Sequence, residues 1–187
     1  MTGEPRESDG ADREPDEHIR FAAYLVQLDQ VAEADEIDLV CHVLSDPDRT
    51  MAQSAVVRHV DRRAEDLHLG PAYEAWALAM AQAAGDRPFL IRRLEEWSLF
   101  RAVRLGLSWD AGDLIGASDW LQLKTAAMSD VVAPSGTAVS SGTPAASGTP
   151  AASAAAFEVL AEGGRTRRIR NTAAGSLRLG RVRGRRC

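Results

Sequence analysis

The chain has 187 residues, of which 45% are hydrophobic and 26% charged, enough apolar content for one ordinary core, and no apolar run approaches the roughly 20 residues that cross a bilayer. Two cysteines, Cys41 and Cys187, exclude a disulfide framework and a prenylation box, and a start without basic and apolar signal segments sets the expected location as the cytoplasm. The net charge of -5 conceals two opposed ends: Glu4, Glu7, Asp9, Asp12, Glu14, Asp16 and Glu17 face only Arg6 and Arg13, whereas nine arginines after Ser153 face only Glu158 and Glu162.

Residues 1–17 carry charge, glycine and proline with no large apolar side chain after Met1, so they are expected to form a disordered acidic tail. From His18 the apolar spacing becomes helical, and no stretch shows strand alternation. A first helix, about 18–30, aligns Phe21, Tyr24, Leu25 and Leu28. In a second, Ile37, Val40, Cys41 and Leu44 form the stripe, which predicts a buried Cys41. The turn Ser45-Asp46-Pro47-Asp48 stops it, because proline disfavours helical geometry in the residue before it.

A third helix, about 49–67, sets Val56, Val57, Val60, Ala64 and Leu67 against a polar face of Ser54, Arg58, Asp61, Arg62 and Glu65. Gly70 closes it, and Pro71 opens a fourth carrying Tyr73, Trp76, Ala77, Met80 and Ala84. Asp86 reads as N-cap of a fifth, with Pro88 just inside and Gly106 after its end. Leu90, Leu94, Trp97 and Leu105 share one stripe while Leu99, Phe100 and Val103 lie elsewhere, so this helix is expected at the centre. Ser108 or Asp110 begins a sixth with Leu114, Ala117, Leu121 and Met128 on one face and Asp113 placed as a capping-box acid.

Residues 130–153 collapse to Ser, Gly, Thr, Pro and Ala, with hexads starting at Ser135, Ser141 and Ser147, the pattern of a flexible linker. Beyond it a short hairpin over 154–180 is expected, turning at Gly163-Gly164 and carrying Ile169, Ala173 and Leu177 at helical spacing. Its apolar residues are too few for a separate core, so it is expected to dock, followed by a disordered basic tail over 181–187. The fold class is therefore all-α: a compact bundle or short solenoid-like stack of about six helices in a domain over 18–129, plus the C-terminal hairpin.

The segment Val43-Leu44-Ser45-Asp46-Pro47-Asp48-Arg49-Thr50-Met51, followed by Ala55, Val56 and Val60, resembles the turn and second helix of a HEAT repeat, a family in which such a turn joins stacked helix pairs. The resemblance covers residues 43–67 and implies a scaffold that binds protein rather than an enzyme.

Candidate chemistry is sparse. Cys41, His42, His59 and His68 fit no recognised zinc spacing, and the histidines are expected at the surface or its boundary, so no metal or cofactor is expected. Glu95-Glu96 and the pair Asp110 and Asp113 are acids that proton-transfer chemistry uses, but capping and surface pairing account for them, and no catalytic residue is assigned. Trp76, Trp97, Trp109 and Trp120 read as core residues rather than a stacking platform. Arg101 projects into the stripe of Leu94, Trp97 and Leu105, which calls either for an ion pair with Asp119 or Asp113 and stacking on Trp97, or for a stem that covers the core while its head reaches water.

The arginines Arg165, Arg167, Arg168, Arg170 and Arg178 are the strongest functional signal. Arginine bias is muted as evidence here, since only Lys124 among the 22 basic residues is lysine, a composition expected of a GC-rich genome. Four readings stand open: contact with a protein partner or another copy, binding of nucleic acid through phosphates, docking on the acidic helices of residues 33–66, and a solvated tail. The leading expectation is a non-enzymatic helical protein-interaction module, with an auxiliary nucleic-acid binder as the alternative.

Overall fold

Nine α-helices follow one another in the described residues of a computed structural model, which cover 17–128 and 150–184, and no strand occurs among them. Residues 1–16 and 185–187 of the tails expected to be disordered and residues 130–149 of the expected linker lie outside the described residues, whereas Glu17, the last residue of the expected acidic tail, is the first of α1. The helices are α1 (Glu17–Gln30), α2 (Glu36–Leu44), α3 (Arg49–Leu67), α4 (Tyr73–Ala84), α5 (Pro88–Leu105), α6 (Ala111–Gly116), α7 (Asp119–Ala126), α8 (Pro150–Gly163) and α9 (Arg167–Gly184), with a 3₁₀ turn at Glu33–Asp35. The fold is an all-α compact bundle, and no helix among the described residues is long and apolar enough to cross a membrane.

Side-chain caps fix several helix starts. Asp48 accepts the Met51 N–H at 2.9 Å to begin α3, Asp110 accepts from Gly112 and Asp113 to begin α6, and Thr166 accepts from Ile169 as α9 opens. Asp86 does not cap α5: the N-cap position is Arg87, whose guanidinium donates to the carbonyls of Ala84 and Leu44 and so ties the α4–α5 corner to α2. Gly106, in the left-handed conformation at φ 69°, ends α5, and the Leu107 N–H reaches back to the Ala102 carbonyl at 2.9 Å. The expected sixth helix is two, because Ser118 accepts from Leu121 to begin α7 while its own N–H turns to Glu96.

The pairs α2–α3 and α4–α5 stack, with α2 beside α4 and α3 beside α5, while α1 lies across α2 and α3. α5 packs on α3, α4, α7 and α8, and its Leu90, Leu94, Trp97, Phe100 and Val103 are buried. α8 and α9 form an antiparallel hairpin seated on α5, α6 and α7. Ala156, Phe157 and Leu160 of α8 and Ile169 and Ala173 of α9 belong to the same apolar cluster as Leu28 of α1. Polar contacts fix the seat: buried Gln122 donates to the carbonyls of Ile115 and Ala117 and accepts the Arg165 N–H at 2.9 Å, and Ser176 donates to the Ala126 carbonyl.

Both hairpin helices exceed their expected bounds. α8 begins at Pro150, inside the expected linker, since proline suits a first helical turn and the alanines that follow are the best helix formers; α9 runs to Gly184 through arginines of high helix propensity, past the expected start of the tail at 181.

Candidate functional site

The first residue of α2 anchors the most connected polar cluster among the described residues. Glu36 is 2% exposed, and its Oε1 lies 2.7 Å from His59 Nε2, 3.0 Å from Arg63 Nε and 3.1 Å from Trp76 Nε1, while Oε2 accepts from Arg63 Nη2. Burial pushes its carboxyl upward, but the hydrogen bonds from His59, Arg63 and Trp76, with the Arg63 charge, outweigh that and hold the pKa at about 2. Arg62 Nη2 sits 3.3 Å from His59 Nδ1, and because a guanidinium only donates, the ring proton belongs on Nε2, facing Glu36.

This cluster shifts the expected register of α2. The buried positions are Glu36, Val40, Val43 and Leu44, and Cys41 is exposed, contrary to the stripe of Ile37, Val40, Cys41 and Leu44. A glutamate supplied with four donors is admitted to the inner face, and the helix turns accordingly. His59 is also buried, as is His68, which stacks obliquely on Trp97 and Phe100; neither is a surface histidine, while His42 is exposed. No three His, Cys, Asp or Glu side chains come together to hold a metal among the described residues.

Other acids are spent in the same manner. Asp46 accepts from Arg20 Nε, Tyr24 OH and the Asp48 N–H. Burial raises its pKa, and those hydrogen bonds with the Arg20 charge turn the net shift downward. Asp61 accepts from Trp97 Nε1 at 2.8 Å, yet burial wins and its carboxyl stays above the usual aspartate value. Lys124, the lone lysine, pairs with Glu65 and lies 4.5 Å above the Trp97 ring. An open groove of about 440 Å³ brings Glu95, Glu96 and Asp113 to one lining, where Glu96 is held by the Ser118 N–H at 2.8 Å. Trp76 and Trp97 are buried, and Trp109 and Trp120 half-buried, with Arg93 3.8 Å over the Trp120 ring.

Arg101 and Asp119 do not meet. Arg101 Nη1 donates to the His68 carbonyl at 2.7 Å, its Nη2 lies 3.5 Å from Glu74 Oε1, and its guanidinium stands over Tyr73 rather than Trp97. The break between α6 and α7 carries Asp119 to the hairpin instead, 3.6 Å from Arg165 Nε.

The five arginines singled out by sequence divide into two groups. Arg165 is committed to Asp119 and the Gly116 carbonyl, and Arg170 Nη1 donates to the Gly164 carbonyl at 2.7 Å. Arg167, Arg168 and Arg178 are exposed, and their side chains make no hydrogen bond or ion pair among the described residues. Ile169, Ala173, Ser176 and Leu177 direct the other side of α9 to the core, and α9 lies on α7 and α8, not on the acidic helices of residues 33–66. At about 100° per residue, Arg167 and Arg178 fall within about 20° of each other and about 16 Å apart along the axis. Arg168 aligns with Leu179 in the same way, and Leu179 is 68% exposed. The outward face of α9 is thus a basic strip with one bare leucine.

The first turn of α9 holds Arg167, Arg168 and Arg170 and no acid. Cations at this end oppose the helix dipole at roughly 0.3–1 kcal/mol each, a cost that an approaching anion reverses.

The chain matches no protein-family model, no curated protein and no solved structure.

Proposed function

We propose that this chain is a non-enzymatic helical interaction module that grips an acidic segment of protein with the outward face of α9. The observation that carries the reading is the grouping of its unpaired cations: Arg20, Arg62, Arg63, Arg93, Arg101, Lys124 and Arg165 have acidic partners within the fold, and Arg49, Arg58 and Arg92 have none but are scattered over α3 and α5, whereas Arg167, Arg168 and Arg178, with none among the described residues, share the outward face of α9. Bare Leu179 beside them suits a peptide with an apolar side chain better than a phosphate backbone. Stacking of the two helix pairs, together with the Asp46-Pro47-Asp48 turn, supports a scaffold role of the kind the HEAT resemblance implies.

Nucleic acid is the rival ligand. Before the hairpin the chain carries 25 acids against 13 basic residues, a field that repels a long polyanion beyond the strip itself. The test is fluorescence anisotropy with a labelled oligoglutamate peptide and a labelled DNA duplex, on the wild type and on the triple variant Arg167→Gln, Arg168→Gln, Arg178→Gln. At roughly 0.5 kcal/mol per surface pair, the variant is expected to bind the peptide about tenfold more weakly. Equal peptide binding by both proteins sinks the reading. Tighter binding to duplex than to peptide, with a salt slope that falls by about 2.7 on losing three phosphate contacts, replaces it with the nucleic-acid one.

A further inference from the structure

The basic strip of α9 has a ready counterpart in the chain itself. Residues 4–17 hold seven acids against two arginines, the densest negative stretch of the sequence. That stretch leads into α1, and α1 packs on α2 and α3 while α9 packs on α7 and α8, so the two share no packed neighbour.

Within one molecule the pairing is limited by the reach of the acidic stretch from the start of α1. A compact body of 147 residues is roughly 38 Å across. Glu4 is thirteen residues before Glu17 and reaches roughly 45 Å even at full extension, and Asp9 and Asp12 reach less. A second copy has no such limit.

Resting on the reading of α9 as an acid-binding face, we infer that its occupant is the acidic N-terminal stretch of another copy of this chain, so that molecules join head to tail. The contact is heterologous: each copy offers one acidic and one basic surface, and both stay available after a single pairing. Growth is therefore open-ended unless the rotation between neighbours closes a ring. Because the joint is made of exposed charges, it is weak and sensitive to salt.

Sedimentation velocity on the full-length chain tests this, at about 10 mM salt where charges act over roughly 30 Å and at about 1 M where they act over roughly 3 Å. The wild type is expected to show a mean mass that rises with concentration at low salt and falls to monomer at high salt. Two full-length variants are compared with it: the arginine triple variant above, and an acid variant with Glu4→Gln, Glu7→Gln, Asp9→Asn, Asp12→Asn, Glu14→Gln and Asp16→Asn. Each alone is expected to stay monomeric. Mixed in equal amounts they are expected to give a 1:1 dimer and nothing larger, because one retains only the basic face and the other only the acidic stretch. A wild type that is monomeric throughout, an acid variant that still assembles, or a mixture that fails to pair overturns the inference. Oligoglutamate binding by the monomeric wild type then separates the outcomes: if it survives and depends on the three arginines, the face is an acid-binding site for a different protein, and if it is absent, the face reading falls as well.

Discussion

Glu36 and Asp61 are both acids bonded to a tryptophan indole, yet their surroundings give them opposite effects on stability. Glu36 has a two-point guanidinium, an imidazole and the indole of Trp76, and its pKa of about 2 lies below its ordinary 4.5. A depressed carboxyl contributes stability that is complete above pH 4.5 and is lost as pH falls toward about 2. Urea midpoints of the wild type are therefore expected to drop across that window. Glu36→Gln should flatten the drop and, by leaving half-buried Arg63 without its counter-charge, cost roughly 1–3 kcal/mol at neutral pH. A variant with an unchanged urea midpoint at pH 7 contradicts this account. Asp61 has its pKa raised, chiefly by burial, so ionisation costs stability as pH rises through its ordinary value to the raised one. Asp61→Asn keeps an oxygen for Trp97 Nε1 and sheds that charge. It is expected to melt at or above the wild-type temperature at pH 7, within about 1 kcal/mol, and a clear loss there would show that the Arg93 and Lys124 charges dominate instead.

Single glycines decide the geometry of the α8–α9 hairpin. A Cβ at Gly164 meets the Leu160 carbonyl oxygen at 2.5 Å and Ile169 Cγ2 at 2.7 Å, backbone and buried core, whereas a Cβ at Gly163 meets Ile115 Cδ1 at 2.6 Å, the end of a half-buried side chain able to turn aside. Gly164→Ala is expected to destabilise the protein by roughly 1–3 kcal/mol and Gly163→Ala by less, measured by denaturant melts of the two variants. Equal losses would mean that the hairpin backbone yields as easily as the Ile115 side chain. The existence of the helices was legible from apolar spacing, because burial of one face and the breaks at Pro47, Gly70, Gly85 and Gly106 are local facts. What escaped was long-range. The register of α2 depends on donors from α3 and α4, 23 to 40 residues away, and the partner of Arg101 depends on a break before α7 that Glu96 helps to set from α5. A trace existed: Glu36 precedes Val40 and Val43 by four and seven residues, and His59 follows Ala55 by four, so both sit on the inner faces of their helices. Reading polar residues as outward by default concealed it. The arginine strip was visible as composition, but its division into committed Arg165 and Arg170 and bare Arg167, Arg168 and Arg178 needed the folded hairpin.

For the molecule as a whole, the seating of the hairpin determines how its charge is to be tested. Phe157 and Leu160 of α8 and Ile169 of α9 are at most 2% exposed and complete the core over α5, α6 and α7. Cutting the chain after Met128 therefore removes the arginines and also uncovers that apolar face. The truncated chain is expected to have a lower urea midpoint, a shallower transition and binding of a hydrophobic dye, since replacing even one such core aromatic, as in Phe157→Ala, costs roughly 3–5 kcal/mol. Loss of a partner on truncation would then report unfolding as readily as electrostatics. The arginine triple variant changes only the outward face and relieves two cations at the start of α9, so it should match or slightly exceed the wild-type midpoint and leave the dye unbound while losing any affinity for acidic peptide. If the truncated chain instead melts like the wild type with the same steepness, the first seven helices hold their own core and α8–α9 is a detachable arm, in which case the charge of α9 acts from a movable element rather than from a fixed face of the bundle.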